Sequence, residues 1–153
     1  MNLRRVLFVP VLASVALAAC GGEEGPTREE YARSVDRVCA EARKADDNLG
    51  TPDSAAELVS FTDRLVKVSD DIVKKIKAVE RPSGEDGEKA EQFVTAFERD
   101  VDTKLKPALG ELRTAAQKGD AQGLRTAAEK LQRVETPESD RLAKEIGARG
   151  CAD

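Results

Sequence analysis

The sequence predicts an all-α protein that folds as an up-down-up-down four-helix bundle closed by one disulfide. Apolar residues of the 153-residue chain recur every three or four positions, which is the spacing of one face of an α-helix. Glycine, proline and capping residues divide residues 27–153 into four such stretches with short connections, and short connections make successive helices antiparallel. No stretch alternates apolar and polar residues as a half-buried strand does.

The first helix is predicted to begin at Thr27, because Glu30 three positions later completes a capping box. Gly50 is its expected end. One cysteine falls on the apolar face of this helix and is therefore expected to face the core; the full face is Tyr31, Val35, Val38, Cys39, Ala42 and Leu49.

The second helix is predicted to start at Thr51-Pro52, because the missing N–H of proline costs nothing at the first helical position. Its apolar face predicts contact with two neighbouring helices, since it is unusually broad. That face consists of Leu58, Phe61, Leu65, Val68, Ile72, Ile76 and Val79, widened by Val59, Val66 and Val73.

A loop is expected over residues 82–87, followed by a third helix from about Glu88 to Lys118. Its apolar face is Phe93, Val94, Phe97, Val101, Leu105, Leu109 and Leu112. Pro107 lies inside this helix and is expected to kink it, because proline has no N–H to donate to the carbonyl of Thr103.

The fourth helix is predicted to follow the cap Asp120, and Thr136-Pro137 restarts or bends it. Its apolar face is Leu124, Ala128, Leu131, Val134, Leu142 and Ile146, and it ends at Gly147 and Gly150. The first and fourth helices should be antiparallel neighbours, so the tail with Cys151 is expected to return towards Cys39.

Residues 1–19 have the features of a cleaved signal peptide: Arg4 and Arg5, then an almost wholly apolar run that is too short to span a bilayer. The segment Leu17-Ala18-Ala19-Cys20 resembles the bacterial lipobox at all four positions. The resemblance implies cleavage before Cys20 and lipid, including palmitate, on that residue. An ordinary secreted or inner-membrane protein with an incidental cysteine is the alternative.

Lipidation of Cys20 predicts a chain anchored to the extracytoplasmic face of a membrane, because two or more acyl chains hold a protein stably. Three segments follow: residues 1–19 as signal peptide, residues 20–26 as lipidated cysteine and flexible tether, and residues 27–153 as the bundle domain. In an oxidising compartment the two remaining cysteines, Cys39 and Cys151, are predicted to pair. Free thiols or a redox-active pair are the alternatives.

The composition excludes several classes of function. Cleavage would remove two arginines and no acid, leaving 23 basic and 29 acidic side chains, so we expect no nucleic-acid partner. The chain has no histidine and its one methionine is Met1, so no catalytic residue, metal site or cofactor is predicted. The expectation is therefore that the chain is not an enzyme.

Carboxylates are the remaining candidates for chemistry. Asp46-Asp47, Asp70-Asp71, Glu98, Asp100 and Asp102 could form an acid–base pair or bind a hard cation, but solvated surface charge is the expected role. The run from Glu85 to Glu88 is expected to be a flexible acidic turn, because it lacks the alternating ligands of a calcium loop.

One place could open a cavity for a ligand. Pro107 and Gly110 face alanine-rich helix four at Ala127 and Ala128, and a kink beside small side chains can leave space for an apolar molecule. Close approach of the helices without a void is the alternative, and the favoured one.

The chain resembles a broad group of small helical lipoproteins and secreted proteins of actinobacteria. The resemblance is carried by Thr27-Arg28-Glu29-Glu30-Tyr31, by Cys39, and by the ending Gly147, Gly150 and Cys151. It implies a helical bundle tied by a disulfide, and no activity. We expect a non-enzymatic interaction or structural module at the cell envelope with a possible protein partner; a carrier or sensor for a small apolar ligand near Pro107 is the alternative.

Overall fold

A computed structural model describes residues 25–152, so the predicted signal peptide and the lipobox with Cys20 lie outside the described residues. The described chain is all-α, as predicted. Its helices are α1 (Arg28–Asp47), α2 (Ala55–Ala78), α3 (Gly84–Asp100), a π-helical turn (Val101–Leu105), α4 (Lys106–Lys118), α5 (Ala121–Gln132), α6 (Pro137–Ile146) and a final 3₁₀ turn (Arg149–Cys151). None of the helices in this part of the chain is both long and apolar enough to cross a membrane.

Two of the predicted helix starts are confirmed. The backbone N–H of Glu30 donates to Thr27 Oγ1 at 3.3 Å, and the Thr27 N–H donates to Glu30 Oε2 at 2.9 Å, which is the reciprocal pair of a capping box. Asp120 Oδ1 accepts from the N–H groups of Gln122 and Gly123 at 3.1 and 2.9 Å. Each cap satisfies backbone donors that a helix leaves free at its start.

Two other predicted starts are wrong. Helix α2 begins at Ala55 rather than at Pro52, because Ser54 is the cap and its Oγ accepts from the N–H of Glu57 at 3.2 Å. The loop predicted over residues 82–87 ends early, since α3 begins at Gly84. Glu85 and Asp86 thereby occupy a first helical turn, where the helix dipole favours negative charge.

Pro107 lies in the first turn of α4, directly after the π-helical turn. The N–H of Lys106 donates to the carbonyl of Val101, five residues earlier, which is the bond of a π-helix. The backbone stays helical through this turn, and the changed hydrogen-bond spacing accommodates Pro107, which has no N–H to donate. The predicted fourth helix is likewise divided, because α6 restarts at Pro137.

Ion pairs along α2 show its direction relative to α3 and α4. As the number of the α2 residue rises, the number of its partner falls, so the helices run antiparallel; the pairs are Asp63–Arg113, Asp70–Lys106 and Lys77–Glu98. All are on the surface, where an ion pair contributes less than about 1 kcal/mol. Helix α1 packs on α2, α3 on α6, and α4 on both α2 and α5.

A closed core fills the part of the domain around the first half of α1. We use this name for the cluster Tyr31, Ala32, Val35, Cys39, Ile76, Ala90, Phe93, Val94, Ala96, Leu142, Ala143, Ile146, Ala148 and Ala152, all of which are buried. Side chains from α1, the end of α2, α3, α6 and the C-terminal tail meet there. The core is closed because helices surround it on every side.

The predicted bridge between Cys39 and Cys151 is confirmed, with the two Cα atoms 5.5 Å apart. Two further contacts hold the tail against α1: the N–H of Gly150 donates to Asp36 Oδ1 at 2.7 Å, and Arg43 donates to the Gly150 carbonyl. The bridge spans 112 residues, for which the chain-entropy model gives about 5 kcal/mol of stabilisation.

Candidate ligand-binding cavity

Three of the four residues predicted to line a cavity come together between α4 and α5. Pro107, Gly110 and Ala127 line an open groove of about 750 Å³, and Ala128 is not part of its wall. The groove is also bordered by polar and charged side chains, among them Glu111 and Lys118. It is a depression on the surface rather than an enclosed apolar space.

A second space, which we call the central cavity, lies on the other side of α4 and has a volume of about 660 Å³. It is less open than the groove beside Pro107 and mainly apolar. It is framed by the second half of α1, by α2, by the π-helical turn, by the C-terminal end of α5 and by the start of α6. The sequence did not predict this location, and we prefer it because its lining is mainly apolar, as the linings of ligand sites are.

The apolar face of α2 forms one wall of the central cavity. Phe61, Leu65, Val68 and Ile72 line it, and all four are only half-buried, whereas Ile76 further along the same face is buried in the closed core. Across the cavity lie apolar residues of the π-helical turn, α4 and the α5 end: Val101, Leu105, Leu109, Leu131 and Val134. Although α2 and α4 pack against each other, space remains between these walls, and the four α2 side chains are only half-buried.

The polar end of the cavity is formed by Asp100 and the start of α6. Asp100 is 1% exposed, and its Oδ2 accepts from Ser139 Oγ at 2.9 Å. Beside them Thr136 Oγ1 donates to Asp140 Oδ1 at 3.0 Å. All four residues line the cavity, so carboxylate and hydroxyl oxygens are gathered at one end of an otherwise apolar space.

The second oxygen of Asp100, Oδ1, is buried and has no hydrogen-bond donor. The ammonium of Lys104 lies 2.9 Å away as an ion pair, but without the alignment of a hydrogen bond, and it also donates to the Glu135 carbonyl at 3.0 Å. The guanidinium of Arg99 is 3.8 Å from Oδ1 and pairs more closely with Glu138, at 2.8 Å. Lys104 therefore balances the charge on this oxygen, which is buried rather than open to a molecule in the cavity.

The prediction that Asp100 is solvated surface charge is wrong. Asp102 and both aspartate doublets are exposed as expected. Asp100 is instead buried, and its burial is compensated by Ser139 of α6 and by Lys104 of the π-helical turn. A signal existed in the sequence, since Asp100 follows Phe93 by seven positions and Phe97 by three, the spacing of one helical face.

The π-helical turn and the disulfide shape the remaining wall. Val101 and Leu105 line the cavity from the two ends of the π-helical turn, and the wider turn changes the direction in which later side chains of the helix point. Cys39, Gly150 and Cys151 line the opposite side. The tail that the disulfide fixes to α1 is thus also part of the cavity wall.

Within residues 25–152, no group of three or more acidic or cysteine side chains is placed to hold a metal ion. Comparisons of the chain with protein-family models, with curated proteins and with solved structures found no match in any of the three. The geometry of the cavity is therefore the basis for assigning a function.

Proposed function

We propose that this chain is a non-enzymatic binding protein, a carrier or sensor, for a small and mainly apolar ligand held in the central cavity. The observation that carries the proposal is the half-buried apolar face of α2, opposed by a second apolar wall across about 660 Å³ of space. This volume falls within the range of about 300–1,000 Å³ that is typical of ligand sites.

Binding rather than catalysis is proposed because of the groups that the cavity offers. The chain has no histidine, and both cavity cysteines are joined in the disulfide. Ser139 Oγ is within hydrogen-bond distance of Asp100 and of the Thr136 carbonyl, and Thr136 Oγ1 donates to Asp140. These bonds fix the polar end of the cavity, which would orient a ligand.

A second function is favoured by the same apolar face. A helix of a partner protein at the cell envelope could cover α2, since Phe61, Leu65 and Val68 form an apolar helix face that is only half-buried. The facing wall and the polar end favour a small molecule, because a partner helix would leave that polar end unfilled. Crosslinking of the chain in its own envelope would recover a specific protein under the partner hypothesis.

The location belongs to the same proposal. Lipid on Cys20 would hold the domain at the extracytoplasmic face of the membrane, and α1 begins only eight residues after that cysteine. The second half of α1 lines the cavity, whereas the anchor would attach near the N-terminal end of this helix. The full up-down-up-down order, with α5 and α6 together as the fourth rod, is also proposed; the antiparallel ion pairs of α2 support it.

Native mass spectrometry of the protein released gently from its own membrane tests the binding function. We expect a reproducible extra mass of small-molecule size that is lost on unfolding. Leu65→Trp fills the cavity and should remove the extra mass, whereas Ser60→Trp, on the exposed face of the same helix, should keep it. An unliganded mass for the wild-type protein would contradict the proposal and leave the partner hypothesis ahead.

The anchor is tested separately by growth with labelled palmitate. Label should enter the wild-type protein and should be abolished by Cys20→Ala. Label that persists in this variant would show that Cys20 is not the site of lipidation.

A further inference from the structure

Helix α5 is a weakly anchored wall of the central cavity. It packs on α4, and no other helix in residues 25–152 packs extensively on it. Only Ala127 of its 12 residues is buried, whereas α4, which has 13 residues, buries five. A segment with so few buried side chains is displaced at a low cost in free energy.

Small residues bring α5 close to α4. A Cβ added at Gly123 of α5 would lie 3.3 Å from the Cβ of Ala115 in α4. An ion pair between Lys130 and Glu111 adds a contact at the surface, where it contributes less than about 1 kcal/mol. Because small side chains do not interlock, one helix can slide or tilt on the other without repacking large groups.

Space borders α5 on both sides of this contact. On one side lie the groove beside Pro107 and a second groove of about 540 Å³, which Glu129 and Arg133 of α5 border. On the other side lies the central cavity, which Leu131 of α5 lines. Helix α5 therefore has room to tilt towards the cavity.

Apolar side chains on α5 and α1 remain half-buried at the edge of the cavity. Leu124 and Ala128 follow the helical face of Leu131, and none of the three is fully buried. On α1, Leu49 shares the face of Ala42, which lines the cavity, and both are half-buried. A ligand between the two faces would let them bury more apolar surface, which contributes roughly 25 cal/mol per Å².

Both ends of α5 can serve as hinges. Gly119 separates α5 from α4 and has a φ of +64°, in the left-handed region that glycine adopts readily. Residues 133–136 connect α5 to α6 without being helical, and Lys104 donates to the Glu135 carbonyl at 3.0 Å. This bond holds the connection near α6, so α5 can move while α6 stays in place.

We propose that α5 is a lid, which tilts towards the second half of α1 when a ligand enters and thereby closes the central cavity. The inference rests on the proposed binding function. The described structure is the open state, because α5 and α1 both border the cavity without packing extensively on each other. The ligand shifts the equilibrium towards the closed state, since it contacts α5 more extensively there.

Distances between paired nitroxide labels, measured by pulsed electron paramagnetic resonance, test the lid. The protein is the mature chain from residue 20 with Cys20→Ser, so the introduced cysteines are its only free thiols while Cys39 and Cys151 stay bridged. One pair joins α5 to α1 through Arg125→Cys and Ala40→Cys, at positions that are both exposed. We expect a saturating concentration of the neutral apolar dye Nile red to shorten this distance by roughly 2 Å or more.

The control pair joins α4 to α1 through Gln117→Cys and Ala40→Cys, which are also exposed positions. Its distance should stay unchanged, because α4 is the helix on which α5 tilts. An unchanged or longer distance between α5 and α1 in the dye-saturated protein would overturn the lid and leave the binding function standing. An equal change in both pairs would mean that α4 and α5 move together, and would also overturn the lid. Absence of saturable dye binding would overturn the lid and the proposed function together.

Discussion

In the closed core, around the first half of α1, Phe93 is completely buried among side chains from five parts of the chain. In the central cavity, beside the second half of the same helix, Phe61 is only half-buried, although it belongs to an equally regular apolar face. The two regions meet at Cys39, which belongs to both. The difference is in what covers each face: the core has a helix on every side, whereas the central cavity lies between the α2 wall and the residues opposite it.

This comparison indicates that the apolar side chains of the closed core contribute more to stability than those of the α2 wall. Apolar burial contributes roughly 25 cal/mol per Å² of surface removed from water, so a face that stays half-exposed contributes less to folding. A ligand that covered the α2 wall would recover that contribution on binding.

The largest effect is expected from the disulfide that joins the two regions. Cys39→Ser with Cys151→Ser should lower the free energy of unfolding by about 5 kcal/mol, since the unfolded chain regains the freedom of a loop spanning 112 residues. Urea denaturation of the variant and of the oxidised wild type measures the difference.

The tail should also loosen, because non-covalent contacts alone then hold it: those of Gly150 with Asp36 and Arg43, and the packing of Ala148 and Ala152 in the closed core. Faster hydrogen exchange at residues 148–152 and at the end of α1, with α4 and α5 unchanged, would localise the effect. Uniformly faster exchange would instead indicate that the bridge stabilises the whole domain without protecting this segment in particular.

The two phenylalanines test the comparison directly. Phe93→Ala should cost about 3–5 kcal/mol, because a buried aromatic side chain leaves a void that the core cannot fill. Phe61→Ala makes the same chemical change in the cavity wall and should cost about 1 kcal/mol, since part of this side chain is already in contact with solvent. Urea denaturation of both variants gives the two values, and similar values would mean that the cavity is closed in solution.

The sequence predicted the helical class, the Thr27 and Asp120 caps and the disulfide, because each depends on local spacing or on a small number of cysteines. It also placed the face of α2 that turns inward. Periodicity shows which face is apolar, but the distance to the opposite wall depends on how helices distant in sequence pack. For that reason the cavity was predicted beside Pro107, whereas the more apolar space lies beside Phe61 and Leu65.

Tyr31 provides a pH-dependent test of the closed core. Burial raises the pKa of the Tyr31 hydroxyl to about 12, against the usual value of 10.0, so the folded state holds this proton at a pH where the unfolded chain loses it. Stability from this group is therefore complete below about pH 10 and falls as the pH rises towards 12. At about 1.4 kcal/mol per pKa unit the loss is roughly 2–3 kcal/mol.

The measurement is direct because Tyr31 is the one tyrosine of the chain and tryptophan is absent. Near-ultraviolet absorbance of tyrosinate should titrate well above its position in the urea-unfolded protein. Tyr31→Phe should remove the corresponding part of the alkaline loss of stability and should raise stability at neutral pH by about 1 kcal/mol, since it removes a buried hydroxyl that has no hydrogen-bond partner. A normal titration in the folded state would mean that this end of the core admits water.

The smallest effect is expected from two alanine-to-leucine substitutions, which should change the free energy of unfolding in opposite directions in the two regions. Ala143 is completely buried in the closed core, and Ala143→Leu should destabilise the domain by about 1–3 kcal/mol, because added methylene groups force neighbours apart. Ala42 lines the central cavity and is half-buried, so Ala42→Leu should be neutral or stabilising by up to about 1 kcal/mol. Ala40→Leu, at an exposed position of the same helix, controls for the helix propensity of leucine. Ala42→Leu should also weaken the binding of an apolar dye such as Nile red, whereas Ala40→Leu should not. The leucine at position 42 would fill volume that a ligand would otherwise occupy.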